Sequence, residues 1–245
     1  MRENYKHSKF DFKNGTVVLA GAGPGSIDLI TLKVDLALRI ADVVIYDALV
    51  NSNLLKKCKK QAKLIYAGKL KNDRACSQSD INRWLLFYAL KKKKVLRLKG
   101  GDASFFSRGS QEISYLKKNN VDCQVLSGIT CSQVAMKIIN KSFFNKSSIC
   151  NFITGHKKLN TQVKNLDLNM VSKNEGRIII YMGVGQIGEI AEKLIKNGRN
   201  PLEKVSIINN ASLQNQRVFH TTLKNCKRTV IKKKIYPPTI FVTGD

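Results

Sequence analysis

Thr16-Val-Val-Leu-Ala-Gly-Ala-Gly-Pro-Gly25 opens as a short continuous apolar run and empties into a loop of alternating glycines. A run of that kind, bounded by glycine, reads as a strand buried on both faces, which is the habit of strands in parallel sheets. The segment Thr31–Ala41 follows, with Leu32, Leu36 and Ile40 on one helical face. The alternation then repeats. Strands are expected at Val43–Tyr46, Leu64–Ala67, Val95–Leu98 and Cys123–Leu126, with helices between them. Ser77-Gln-Ser-Asp80 resembles a capping box that opens one helix through Leu90, and Lys91–Lys94 closes it in the sense its dipole favours. A further helix is expected near Gln111–Lys118.

Strand-loop-helix units in series predict an α/β architecture with a mostly parallel sheet flanked by helices. The pattern restarts at Ser148–Thr154, Arg177–Gly183, Val205–Asn209 and Thr239–Val242, with an amphipathic helix carrying Ile187, Ile190, Ala191, Leu194 and Ile195. Two domains of this kind are therefore expected. The N-terminal one covers 16–136 and the C-terminal one 148–245, with 137–147 as linker and 1–15 as a disordered leader. In such sheets ligands bind beyond the carboxyl ends of the strands. Those ends carry Gly21–Gly25, Asp47, Gly68-Lys69, Lys99-Gly-Gly-Asp102 and Ser127-Gly-Ile-Thr130.

Composition narrows the field. With 245 residues, 43% apolar and 24% charged, the chain has the balance of a folded protein. It has no apolar run long enough for a membrane span and no secretory h-region. Six cysteines without a C-x-x-C pair and three scattered histidines give neither a disulfide framework nor a metal site, so free thiols in a reducing cytoplasm are expected. The net charge of +26 raises a polyanionic partner. It has no basic tail: 24 basic and 11 acidic residues precede Cys131, and 19 and 6 follow. Of the basic residues 33 are Lys, beside 21 Asn, the pair an AT-rich codon pool supplies. Charge thus fits compositional drift plus an anionic ligand better than nucleic acid.

Single motifs leave alternatives open. Gly21-Ala-Gly-Pro-Gly25 could begin a dinucleotide fingerprint, with Asp47 on the ribose, but Pro24 removes an amide that a pyrophosphate loop would use. Asp102 could cap its own turn or accept from a ribose hydroxyl, and Asp47 with Lys69 could be an acid/base pair or two solvated charges. Taken in order, Gly21–Gly25, Asp28–Lys33, Ala41–Asp47, Gly68-Lys69, Arg97–Asp102, Arg108-Gly109, Gly128–Thr130, Thr154-Gly-His156, Tyr181-Met-Gly183 and Asn210-Ala-Ser212 resemble the tetrapyrrole (class III) methyltransferases. The likeness extends from Val17 to Val242.

That resemblance implies two α/β domains with S-adenosylmethionine in the cleft between them, and a homodimer. It implies S-adenosylmethionine contacts at Pro24, Gly100, Gly101, Asp102, Phe105, Thr130, Cys131, Met182 and Ala211, with Asp47 as proton acceptor and Lys69 as proton donor. Among family members the chain looks most like those acting on uroporphyrinogen III, an anionic tetrapyrrole, which receives two methyl groups to become precorrin-2 on the way to sirohaem or cobalamin. S-adenosylhomocysteine would be the by-product. Methylation of a later precorrin is the first alternative; those enzymes usually lack Tyr-Asp-x-Leu-Val, present here as Tyr46–Val50. A ribosomal RNA methyltransferase would carry an acidic Glu-Asp-Thr-Arg type segment, which this sequence lacks. A non-catalytic binding relative would have little reason to keep Asp47, Lys69, Asp102 and Met182 together. The chain departs from the family at Ala48, Arg74, Ser77, Ala103, Ser107 and Ser127.

Overall fold

The computed structural model describes residues 10–68, 76–144, 147–155 and 168–244, so Lys69, Arg74 and His156 lie outside the described residues. The chain divides into two compact units at 130/131.

The first unit contains β1 (Val17–Gly21), α1 (Leu32–Ile40), β2 (Val43–Tyr46), α2 (Ser52–Leu55), β3 (Lys63–Tyr66), α3 (Gln78–Leu90), β4 (Val95–Lys99), α4 (Gly109–Lys118) and β5 (Cys123–Leu126). Its sheet runs β3-β2-β4-β1-β5 with every pair parallel. All five carboxyl ends therefore share one edge. The strands alternate strictly. Val18, Ala20, Val44, Leu96 and Leu98 pack with Val34, Ala37 and Leu38 of α1, while Val17, Leu19, Val43, Ile45 and Val95 pack with Ile81 and Leu85 of α3 and Leu116 of α4. Residues 10–15, expected to belong to a disordered leader, instead deliver Phe12 to the first of these clusters, where it is 3% exposed.

The capping box of α3 is present as expected: Ser77 Oγ accepts from the Asp80 N–H, and Asp80 accepts from the Ser77 N–H and hydroxyl. The Ser77 hydroxyl first, and then the Arg83 guanidinium, hold the Asp80 carboxyl down to about 2. A carboxyl depressed on folding contributes stability above its unfolded value and loses it as pH falls through the folded one. Ser77→Ala is expected to cost about 1 kcal/mol in urea unfolding at pH 7. The penalty should shrink between pH 4 and pH 2.

The second unit contains α5 (Cys131–Ile138), β6 (Cys150–Thr154), α6 (Leu168–Lys173), β7 (Arg177–Tyr181), α7 (Ile187–Lys196), β8 (Lys204–Asn209), β9 (Arg217–Thr222), α8 (Cys226–Lys232) and β10 (Thr239–Thr243). Its sheet, β6-β7-β10-β8-β9, is mixed: β6/β7 is parallel and the other three pairs are antiparallel. The expectation of a mostly parallel second sheet is corrected here. β8 and β9 are joined by a short loop with no crossover helix, and such a connection enforces antiparallel pairing. β9, Arg217-Val-Phe-His-Thr-Thr222, has Arg217 and His220 exposed and the rest half-buried, with too short an apolar run to mark it. α5 belongs by its packing to this unit, since Ala135 and Met136 are buried with Ile179, Ile208, Ile240 and Val242. The division thus falls ahead of the 137–147 stretch read as a linker. Among the described residues no helix is long and apolar enough to cross a membrane.

Candidate active site

Glycine at the strand ends of the first unit serves backbone-to-backbone contact. The loop after β1 pairs with the loop after β4. The Ala22 N–H donates to the Lys99 carbonyl at 2.7 Å, Gly23 N–H to Gly101 O at 3.1 Å and Gly101 N–H to Gly23 O at 2.7 Å. These amides are consumed inside the protein, so the loop does not present them to a pyrophosphate, and the dinucleotide reading fails on geometry. A Cβ on Gly21 would stand 2.5 Å from Gly101 O and 2.7 Å from Gly128 Cα. Three strand ends meet there with no room for a methyl group.

Asp102 ties two of those ends together. One carboxylate oxygen accepts from the Gly128 N–H at 2.7 Å, the other from the Ser104 N–H at 2.7 Å and from the Ser104 hydroxyl. Burial pushes this carboxyl up, but the hydrogen bonds from Ser104 and Gly128 outweigh it and hold the group below its ordinary range. Asp102 is therefore an anionic acceptor at neutral pH, with lone pairs left for a ligand hydroxyl or ammonium. Beside it Gly101, at φ +71°, is open: a Cβ there would meet nothing within 4 Å. Phe105 follows, edge-to-face with Phe106 at 4.8 Å between ring centres. Ser107, one of the departures from the family, donates its hydroxyl to Ala103 O and accepts from the Gly109 N–H at 3.0 Å, closing the turn into α4. Ser127, another, lends its carbonyl to the Thr31 hydroxyl at 3.3 Å.

Asp47 sits one residue past β2 on the same edge, its N–H on Leu98 O at 3.2 Å. Its Oδ1 receives the Arg97 Nη2 at 2.5 Å. Arg97 is buried, as are Lys99 and Glu112. The sequence reading missed Arg97, Lys99 and Glu112 as a group. The available signal was in Val95-Leu-Arg-Leu-Lys99, where charges occupy alternate positions of a strand buried on both faces.

In the second unit the ends of β6, β7 and β8 share an edge, because β6 runs with β7 and both β7 and β8 run against β10. Met182 (φ +52°), Asn210 (φ +53°) and Ser212 (φ +65°) all occupy the left-handed region there without being glycine. Such conformations cost of order 1–2 kcal/mol each and collect at functional sites. Met182 is 40% exposed, whereas Ala211 between the other two is buried. The Tyr181 hydroxyl accepts the Ser132 N–H at 3.0 Å, bringing the start of α5 and Cys131 to this edge. Burial pushes the Cys131 thiol up to about 12. At pH 8 it should carry roughly a thousandfold less thiolate than an ordinary cysteine. Native-state alkylation mapped by mass spectrometry should accordingly find Cys131 unmodified under conditions that label it in urea.

The residues singled out by sequence thus form two groups. Pro24, Gly100, Gly101, Asp102 and Asp47 gather on one edge of the first sheet, and Cys131, Met182 and Ala211 on one edge of the second. Thr130 ends the first unit, next in the chain to Cys131.

The model of the family Tetrapyrrole (Corrin/Porphyrin) Methylases matches residues 16–227. The chain belongs to the tetrapyrrole methylase family. It is 37% identical to a uroporphyrinogen-III C-methyltransferase of Methanocaldococcus jannaschii, over 94% of this chain and 96% of that one. It is 36% identical to the Bacillus subtilis protein of the same name, over 94% and 90%. It also matches a siroheme synthase of Nitrosomonas europaea at 34% identity, there spanning 52% of the longer protein. Among solved structures it superposes on the uroporphyrin-III C-methyltransferase of Thermus thermophilus complexed with S-adenosylhomocysteine, with TM-score 0.78, 30% identity and coverage of 94% and 97%. A cobalt precorrin-4 methyltransferase, 20% identical with TM-score 0.82, shares the fold of this tetrapyrrole methylase.

Proposed function

We propose that the protein transfers methyl groups from S-adenosylmethionine to two ring carbons of uroporphyrinogen III, giving precorrin-2 and S-adenosylhomocysteine. The observation that carries this reading is the pairing of one open glycine, Gly101, with a carboxylate at the neighbouring strand end. Asp47 has one oxygen held by Arg97 at 2.5 Å, and Gly101 presents a bare backbone face within the same sheet edge. The full-length likeness to two uroporphyrinogen-III C-methyltransferases supplies the substrate class.

The residues present fit S-adenosylmethionine. A Cβ at Gly101 would occupy the space that the close approach of a nucleoside needs, and Asp102 offers an anionic acceptor beside it. When bound, the sulfonium supplies a methyl group already activated for transfer. The chain's part is then orientation, exclusion of water and proton traffic. By the family resemblance, Pro24, Gly100, Gly101, Asp102, Phe105, Thr130, Cys131, Met182 and Ala211 would hold the cofactor. C-methylation leaves a cationic ring that must lose a proton, which Asp47 accepts; the family resemblance implies a proton-donor role for Lys69. A net charge of +26 suits a polycarboxylate substrate. We read the protein further as a cytoplasmic homodimer feeding sirohaem or cobalamin synthesis, a reading supported by the family resemblance.

The test is anaerobic incubation of the purified protein with S-adenosylmethionine and uroporphyrinogen III, followed by mass spectrometry. A gain of two methyl masses, slowed in Lys69→Ala, is the expected result. An unmodified tetrapyrrole in the presence of demonstrable S-adenosylhomocysteine binding would overturn the assignment. Later precorrins and ribosomal RNA would then be the substrates to try.

A further inference from the structure

β4 carries a violation that its fold does not require. Both faces of the sheet are covered, yet the positions facing α3 and α4 read Val95, Arg97, Lys99, with Arg97 1% and Lys99 5% exposed. From α4 the wholly buried Glu112 answers them. Its Oε1 receives Lys99 Nζ at 3.1 Å, Gln78 Nε2 at 3.2 Å and Arg97 Nε at 3.4 Å, while its Oε2 has no hydrogen-bond partner among the described residues. A guanidinium cannot shed its charge, and replacing such buried networks with apolar side chains is often neutral or stabilising. Stability is therefore a weak reason to keep this one. Its open end supplies a better reason. Arg97 reaches past Ile45 O, to which Nη1 donates at 3.3 Å, and places Nη2 on Asp47 Oδ1. Among the described residues Asp47 Oδ2 takes no hydrogen bond, and the Asp47 side chain is 30% exposed.

We propose that Arg97 is the positioning residue for Asp47: anchored by Glu112, it clamps Oδ1 so that Oδ2 alone is aimed at the proton to be removed. Glu112 and Gln78 act through Arg97. Asp47 lies in a loop, and its carboxylate would otherwise turn about two side-chain bonds. One fork nitrogen on Oδ1, with the rest of the guanidinium fixed to β2 and α4, removes that freedom before substrate arrives. This inference rests on the reading of Asp47 as proton acceptor.

A double-mutant cycle tests it, with kcat expressed per S-adenosylhomocysteine-binding site so that misfolded protein does not count. Arg97→Lys keeps the charge and loses the fork. It is expected to lower kcat by ~10–100-fold, the scale of a misplaced reacting group, with the KM for S-adenosylmethionine unchanged within about twofold. In a chain already carrying Asp47→Asn the same substitution should lower kcat no further, because the group it positions is gone. A merely structural Arg97 would multiply its loss onto that of Asp47→Asn, and that outcome overturns the proposal. So does Arg97→Lys with the parent kcat. Full activity of Asp47→Asn alone would instead overturn the assignment of the proton acceptor. Should Arg97→Lys fail to fold, Glu112→Gln takes its place: it leaves the guanidinium and loosens its anchor. A smaller loss of kcat, likewise absent beside Asp47→Asn, is expected, and a multiplied one overturns the proposal.

Discussion

Gly21→Ala is expected to lower the unfolding free energy by about 3 kcal/mol, at the upper end of what an inserted methyl group costs, and to abolish measurable S-adenosylhomocysteine binding. The added Cβ would stand 2.5 Å from Gly101 O, 2.7 Å from Gly128 Cα and 2.9 Å from Gly128 N. All three atoms are backbone, from the ends of β4 and β5, so no side chain can rotate away. The end of β1 must withdraw instead. Withdrawal breaks the Ala22–Lys99 hydrogen bond and the paired bonds between Gly23 and Gly101, and moves Gly128 off the Asp102 carboxylate. Urea unfolding and titration calorimetry read the two effects separately. Gly101→Ala separates them further: its Cβ meets nothing, so only the strain of φ +71°, about 1–2 kcal/mol, falls on stability, while the methyl group enters the open face. Gly185→Ala, in open space without that φ, is the neutral control.

The same glycines show where reading a sequence stops. That β1 runs into a turn is legible from Thr16–Gly25, and the recurrence of such units makes the parallel first sheet legible as well. Val43–Tyr46 and Cys123–Leu126 fall on β2 and β5 residue for residue. That Gly21 and Gly128 are glycine because β1 and β5 flank each other is a tertiary fact, visible only once the strand order is known. In the second unit the local signals are weaker. β9 has too short an apolar run to mark it, and its antiparallel partner β8 follows from a loop of only a few residues rather than from any periodicity. The site divides along the same line. Asp47 and Asp102 stand in loops at strand ends, where an acidic residue draws notice. Arg97 and Glu112 lie inside elements, where charge reads as an outward face, and only the two-residue period of β4 argues that Arg97 must point inward.

Asp47→Asn should lower kcat by ~10²–10⁴-fold, the range for removal of a general base, while S-adenosylhomocysteine binds within about twofold of its former strength. The substitution is nearly isosteric, and the amide oxygen can still accept from Arg97 Nη2. What disappears is the second carboxylate oxygen, which takes no hydrogen bond among the described residues, and with it the capacity to take up a proton. The ion pair with the buried guanidinium becomes a hydrogen bond from the same cation to a neutral amide, so a modest fall in thermal midpoint should accompany the loss. It should not scale with it, because the side chain is 30% exposed and water can compensate. Asp102→Ala should show the opposite division. Its carboxylate is committed to the Gly128 and Ser104 N–H groups that shape the loops, so binding should weaken first and the rate at saturating cofactor should change less. Calorimetry with S-adenosylhomocysteine alone, set beside single-turnover methylation, distinguishes the two carboxylates. If Asp47→Asn lost binding in proportion to rate, Asp47 would be a cofactor ligand, and the proton would have to leave by another group.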